Sequence, residues 1–334
     1  MDILVCPGCR TRTAERLDVR TLDRHGDVLA CACGRRYPII DGVPIVLGDP
    51  EGFFMNEMTT VLERDLEPDV AALLVEHGTD DAPYARLLEH LSIYMDSQWG
   101  DRATPRPDGP GAATEDGPGA VLAKLAERAS HRVDLAVELG CSVGRGLAEL
   151  ARGAVHTVGL ELHFGALRRA RRLLAGEDVV YARRTIGRNY LRATARGLAT
   201  ANVTLICGDA LDPPLIPAVY HRVVALNLLD SVRHPRQLLS VVDALCAPGG
   251  EVILTSPYAW QSGFVDEDQR FGGDDPAGAL VDLLEHGRGL ESGYAIEEAT
   301  ELPWTLRRDA RSAATYCIHY IRARKGNVGR PNSV

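Results

Sequence analysis

Five short, nearly unbroken apolar runs occupy the second half of the chain, at residues 133–138, 155–161, 203–207, 222–227 and 251–255. A strand buried on both faces needs such a run, whereas a half-exposed strand alternates, so these predict parallel strands. Residues 147–152, 164–174 and 235–246 carry apolar positions at helical spacing between them. Strands and helices in alternation predict an α/β fold with a doubly wound sheet. Residues 302–308 and 315–323 read as an antiparallel hairpin at its edge, with Trp304, Tyr316 and Tyr320 as core residues. Upstream, residues 53–100 predict two or three helices, with Leu87, Leu88, Leu91 and Met95 on an apolar face and Pro68 and Pro83 near helix starts. Residues 101–118 are rich in Pro, Gly and Asp without apolar period, which predicts a mobile linker.

A chain of 334 residues exceeds one ordinary core, and 45% hydrophobic with 25% charged residues describes a globular protein of two or three units. The formal net charge of -9 gives no global reason to bind a phosphate polymer. A small-molecule substrate is therefore expected, with neither nucleic acid nor membrane as partner, and a homodimer stays open. The opening MDILVC has no basic segment and no long apolar core, so neither signal nor anchor is expected and the expected location is cytoplasmic. The four helical basic residues Arg168, Arg169, Arg171 and Arg172 read as a solvated face.

Of eight cysteines, Cys6, Cys9, Cys31 and Cys33 cluster at the N-terminus. Their turns, CPGC and CACG, suit four thiolates around one tetrahedral Zn²⁺, which supplies on the order of 10 kcal/mol of folding energy to a segment with little core. The CxC pair is tighter than the usual CxxC, and His25 is close enough in sequence to substitute. The following GRRYPIIDGVPIVL closely resembles the zinc-ribbon family typified by the small activator subunit of tRNA and translation-factor methyltransferases, over residues 1 to about 48. The resemblance implies a ribbon that works as partner or scaffold, here giving intramolecular support to a second domain.

The strand at 133–138 runs into ELGCSVGRG, whose glycines permit a tight strand-to-helix turn and close backbone approach to a ligand. Its spacing differs from the dinucleotide pattern, and Glu138 before it suits the cationic aminoacyl end of S-adenosylmethionine (SAM) better than a pyrophosphate. Glu161 ends the second strand about where a carboxylate accepts ribose hydroxyls, with Leu162 beside it. Asp209 and Ala210 follow the third strand, where the acid would reach an adenine amino group, and Asn227 and Asp230 follow the fourth. In order, and with a PGG turn at 248–250, these features resemble class I SAM-dependent methyltransferases over residues 119–325. The implied cofactor contacts are Glu138, Gly140, Cys141, Ser142, Gly144, Glu161, Leu162, Asp209, Ala210 and Asn227. The expected organisation is a ribbon at 1–50, a helical connecting region and linker at 51–118, a Rossmann-like methyltransferase domain at 119–325 and a tail at 326–334.

Methyl transfer is an in-line displacement in which a nucleophile is held close to the methyl carbon, so it needs no catalytic triad. Candidate catalytic residues are Asn227, Asp230 and Tyr258. Candidate substrate residues are Tyr94, Trp99, Tyr258, Trp260, Asp266, Arg270 and Phe271, with Phe264 in the same loop. The helices at 53–100 serve either as a lid over this pocket or, the favoured reading, as packing against the ribbon. NLLDSVRHP at 227–235, TSPYAW at 255–260, RFGG at 270–273 and LPWTLRRDAR at 302–311 resemble the C-terminal domain of ovothiol synthase, which methylates the imidazole nitrogen of a mercaptohistidine. That resemblance implies an N-methyltransferase of a histidine-derived metabolite. The alternatives are a methyltransferase of RNA or protein, and a silent SAM-binding scaffold whose ribbon recruits a partner.

Overall fold

The computed structural model describes residues 3–12, 17–63, 66–79, 81–110, 117–128, 131–261, 263 and 265–326. Phe264, residues 111–116 of the expected linker and all but the first residue of the expected tail lie outside them. At the N-terminus β1 (Thr11–Arg12) pairs with β2 (Leu17–Asp18), and β3 (Asp23–His25), β4 (Val28–Ala30), β5 (Arg36–Ile40) and β6 (Val43–Pro44) form an antiparallel sheet in that order. Leu22, Leu29, Tyr37, Ile39 and Val46 are its buried apolar residues beside Cys6 and Cys31, a core too small to hold strands of two to five residues unaided.

Three helices follow. The Asp49 side chain caps α1 (Pro50–Leu62) by accepting from Gly52 N at 2.9 Å, while α2 (Pro68–His77) and α3 (Pro83–Trp99) start on proline, whose missing N–H costs nothing there. The buried face of α3 carries Leu88, Leu91, Met95 and Trp99. Part of the expected linker is ordered: β7 (Ala103–Thr104) pairs with a later strand, and α4 (Pro118–Arg128) begins where the linker should end.

Then come β8 (Val133–Leu139), α5 (Arg145–Leu150), β9 (Ala154–Glu161), α6 (Phe164–Leu174), the hairpin β10 (Val179–Ile186) and β11 (Asn189–Ala195), β12 (Val203–Cys207), β13 (Tyr220–Leu226), α7 (Pro235–Leu245), β14 (Cys246–Ser256), α8 (Pro276–His286), β15 (Tyr294–Arg307) and β16 (Ala313–Lys325). The main sheet runs β12-β9-β8-β13-β14-β16-β15, parallel through β14 and antiparallel thereafter. It is the doubly wound fold expected, and the strand order reverses direction at β8 and β13, where such folds bind ligands.

The helices α1 and α3 share one core cluster with Val43, Ile45 and Leu47 from the end of the ribbon and with α6 and the loop after β8. Helix α3 also packs on β10, and α2 on both β10 and β11, a hairpin that the sequence reading did not anticipate. Asp96 of α3 accepts from Arg183 of β10 and Arg307 of β15, both at 2.6 Å, and from the Tyr181 hydroxyl. Of the α6 arginines expected as a solvated face, Arg171 is exposed and Arg172 partly so, but Arg168 and Arg169 are not. Arg168 donates to Asp41 Oδ2 at 2.9 Å and to Val61 O at 2.7 Å, and Arg169 is buried against Gly165 O, so both pin α6 to its neighbours.

Candidate functional site

The parallel register puts the carboxyl ends of β8, β9, β12, β13 and β14 on one edge of the sheet. The loop after β8 turns there with positive φ at Gly140 (75°), Ser142 (49°) and Gly144 (81°), and the Gly140 and Cys141 amides donate to Leu160 O at 2.8 and 3.1 Å. Glu161 reaches back into this loop. One of its carboxylate oxygens accepts from Ser142 N at 2.9 Å, the other from Leu162 N at 2.8 Å and His163 N at 2.9 Å. Burial raises its pKa while these three amides oppose the rise. Gly208 N donates to Glu161 O at 3.1 Å, which sets Asp209 at the same edge, its Oδ1 accepting from Leu211 N at 2.8 Å. The β8 loop, Glu161 and Asp209 therefore lie together at the carboxyl edge of the sheet.

Glu138 lies beneath the loop, 4% exposed, with Oε2 lacking a partner among the described residues. Burial, with the charge of Glu161 adding to it, pushes its carboxyl up to about 8. A Cβ on Gly146 would collide with this carboxylate, so glycine fits the second position of α5 here. An orphaned, buried acid needs a cationic partner, which fits an aminoacyl ammonium. Opposite, a Cβ on Gly140 would meet Leu228 Cδ1 at 3.0 Å, so the segment after β13 faces the glycine loop. Asn227 has φ 51°, and its Oδ1 accepts from Thr255 Oγ1 at 2.9 Å.

Asp230 is buried, and both its oxygens are used within the chain: Ser256 Oγ donates at 3.2 Å and Ala259 N at 3.1 Å. It thereby holds the turn that presents Tyr258 and Trp260. The Tyr258 hydroxyl lies 2.8 Å from His319 Nδ1, and burial raises its pKa. Tyr94 of α3 lies against His90, ring centroids 4.5 Å apart. Burial first, then the charges of Glu161, Tyr316 and Asp230, raise its pKa.

Two expectations need correction. Trp99 is fully buried, donating its indole N–H to Val143 O at 3.0 Å with Arg145 stacked over the ring, so it braces the glycine loop instead of lining a pocket. Phe271 is core, edge-on to Trp260 at 5.5 Å and covered by Arg236. Asp266 is exposed at the start of a short turn, and Arg270 donates to Val265 O at 3.5 Å. The sequence reading missed Gln98, whose Oε1 and O accept from Arg145 N and Nη1 at 3.3 and 3.0 Å and tie α3 to the loop. It also missed His319, which only the pairing of β14 with β16 brings to the edge.

At the N-terminus the Sγ atoms of Cys6, Cys9, Cys31 and Cys33 lie within 4.8 Å of one another, with Cys6–Cys33 at 3.8 Å and Cys9–Cys31 at 3.6 Å. Four Zn–S bonds of about 2.3 Å in a tetrahedron put sulfurs about 3.8 Å apart, so the donor set fits zinc. His25 is not in this group. No helix among the described residues is long and apolar enough to cross a membrane.

Residues 137–254 match the family model described as a methyltransferase domain. No curated protein matches the chain. Similar solved structures include a chain of the Haloferax volcanii complex between the Trm112 methyltransferase activator and a putative methyltransferase (14% identity, 73% of this chain and 97% of that one, TM-score 0.46). Others are the N-methyltransferase NodS from Bradyrhizobium japonicum with S-adenosyl-L-homocysteine (14%, 72% and 97%, 0.45) and a putative methyltransferase from Bacillus halodurans (13%, 63% and 100%, 0.44).

Proposed function

We propose that this protein transfers the methyl group of SAM to a nitrogen of a small molecule, with a histidine-derived imidazole as the acceptor type. The supporting observation is Glu161, whose carboxylate bonds the loop after β8 and whose backbone carbonyl accepts from Gly208 N next to Asp209, so three strand ends meet at one edge of the sheet. Bound there, SAM supplies an activated methyl on a sulfonium. Glu138 with the backbone of Gly140, Cys141, Ser142 and Gly144 takes the aminoacyl end, Glu161 and Leu162 the ribose, Asp209 and Ala210 the adenine, and Asn227 closes the far wall. Tyr94, Tyr258 and Trp260 border the acceptor side, where Asp230 positions the turn. A structural zinc on the four cysteines holds residues 1–50 as a ribbon, the connecting region spans 51–118, and the catalytic domain spans 119–325.

The test is transfer of label from methyl-labelled SAM to a metabolite extract and, separately, to RNA and protein. Label in the small-molecule fraction is expected. Label in polymer alone overturns the acceptor class, and S-adenosylhomocysteine binding without turnover on any fraction overturns the enzyme in favour of a scaffold.

A further inference from the structure

The sheet edge carries a second cluster that the proposed cofactor site does not use. Ser256, which ends β14, is in register with His319 of β16, and His319 with Glu301 of β15, so these side chains share one face. The Tyr258 ring lies 6.0 Å from the rings of both His319 and Trp260. Tyr258 and Trp260 hold φ of 50° and 41°, a left-handed backbone that strains such residues. Asp230 and Ser256 secure the strained turn, accepting from Ala259 N and Tyr258 N. The charges acting on His319 come from Glu301 and from Asp275 at the head of α8, and those acting on Tyr258 come from Glu301, Asp230 and Asp275. An open hollow of about 410 Å³ adjoins at Glu301, Tyr316 and Cys317.

Aromatic faces backed by carboxylates recognise cations. We propose that this cluster is the acceptor site and takes a protonated nitrogen base, which Glu301 and Asp275 hold against Tyr258 and Trp260 while His319 removes its proton. The inference rests on the methyltransferase reading above, moves the acceptor from the ring nitrogen to a charged side-chain amine of an imidazole compound, and adds the group that frees its lone pair. A protonated nitrogen has no pair with which to attack carbon. With Nδ1–H donating to the Tyr258 oxygen, His319 accepts that proton at Nε2. The freed pair then forms the N–C bond as the S–C bond breaks, the bonding pair stays on sulfur, and the positive charge passes from the sulfonium to the methylated nitrogen. Burial keeps His319 below the ordinary histidine value, against the upward pull of Glu301 and Asp275, so at neutral pH it is an unprotonated base. Tyr258 is a positioning residue that fixes the ring.

The experiment uses full-length protein loaded with S-adenosylhomocysteine, titrated calorimetrically with histamine and with imidazole-4-acetate, which share a ring and differ in charge. Histamine is expected to bind about ten-fold more tightly or better, and Glu301→Gln to remove most of that preference without changing S-adenosylhomocysteine affinity. In methyl transfer to histamine, His319→Asn is expected to lose about 100-fold in kcat, within the range for a general base, along with the acid limb of the pH profile. Should that variant not fold, Tyr258→Phe is the second arm, expected to move the same limb and lower kcat with KM little changed. Equal or tighter binding of imidazole-4-acetate, or an unchanged acid limb in both variants, overturns the inference while leaving the cofactor site intact. Failure of S-adenosylhomocysteine to bind at all overturns the underlying reading together with it.

Discussion

Asp96→Ala tests how the helical region is held to the catalytic sheet. The Asp96 side chain is 2% exposed, as are those of Arg183 and Arg307, whose guanidinium groups approach it at 2.6 Å each. Removing one partner of a buried ion pair costs about 3–5 kcal/mol, mostly from the charge left behind. Two charges are orphaned here, yet each arginine keeps other acceptors: Arg183 donates to Pro105 O at 2.6 Å and Arg307 to Asp108 O at 3.1 Å. The expectation is therefore near one such penalty, about 3–5 kcal/mol, and not two. Asp96→Asn preserves shape and one acceptor and should cost less, about 1–3 kcal/mol. Urea unfolding at constant m-value reads both directly. Because Gln98 and Trp99 of the same helix grip Arg145 and Val143, S-adenosylhomocysteine affinity should fall as well. A loss below about 1 kcal/mol for Asp96→Ala would refute the view that this buried acid clamps α3 to β10 and β15.

Glu161→Ala should weaken S-adenosylhomocysteine binding by about ten-fold or more in calorimetry, since the change removes a ribose acceptor and releases Ser142 N, and Asp209→Ala by several-fold; unchanged affinity in both contradicts the assigned crevice. Metal analysis should find about one zinc per chain, and Cys6→Ser with Cys9→Ser should lose it and lower soluble yield; a zinc-free wild-type protein defeats the ribbon assignment. Chelating that metal should also weaken S-adenosylhomocysteine binding, and equal affinity with and without it would show the ribbon uncoupled from the nucleotide side. For Glu138, the folded carboxyl is held up to about 8 against about 4.3 in the unfolded chain, so the folded state keeps a proton that the unfolded state has released between those values. The stability of the cofactor-free protein should then fall as pH rises through that window, and Glu138→Gln should flatten the slope; a wild-type slope in the variant assigns it elsewhere.

The main sheet was legible because a buried parallel strand has nowhere to put a polar side chain, so residues 133–138 and 203–207 announce themselves as apolar runs. The glycine loop was legible for a similar reason, since its backbone geometry excludes most side chains. The hairpin β10–β11 was not legible. Its arginines, including Arg183 and Arg192, break the apolar pattern, and their partners lie far away in sequence, Asp96 on α3 and Glu67 at the cap of α2. Tertiary pairing thus made a strand that local pattern concealed. The roles of Trp99 and Phe271 were misread for the converse reason. An aromatic near a loop looks alike whether it faces ligand or core, and only the indole bond to Val143 and the contact with Trp260 decide. His319 was invisible because its meaning lies in its register with Ser256.

The position of the ribbon gives its fusion a physical purpose. β12 ends the main sheet, and an edge strand leaves a row of backbone groups unpaired. The ribbon's last residues cover it: Ile45 forms a parallel bridge with Cys207, and Val46 N donates to Cys207 O at 2.9 Å. Its first residues hold the segment that follows, with Val5 N donating to Pro214 O at 2.9 Å, Ile216 N to Ile3 O at 3.1 Å, and Arg10 paired with Asp212. Asp209 therefore sits on a stretch of chain clamped from both sides by one small folded unit. With the proposed zinc bound, a unit of that size keeps its shape through its four cysteines, and that order is transmitted, through main-chain bonds and one ion pair, to the turn that carries Asp209.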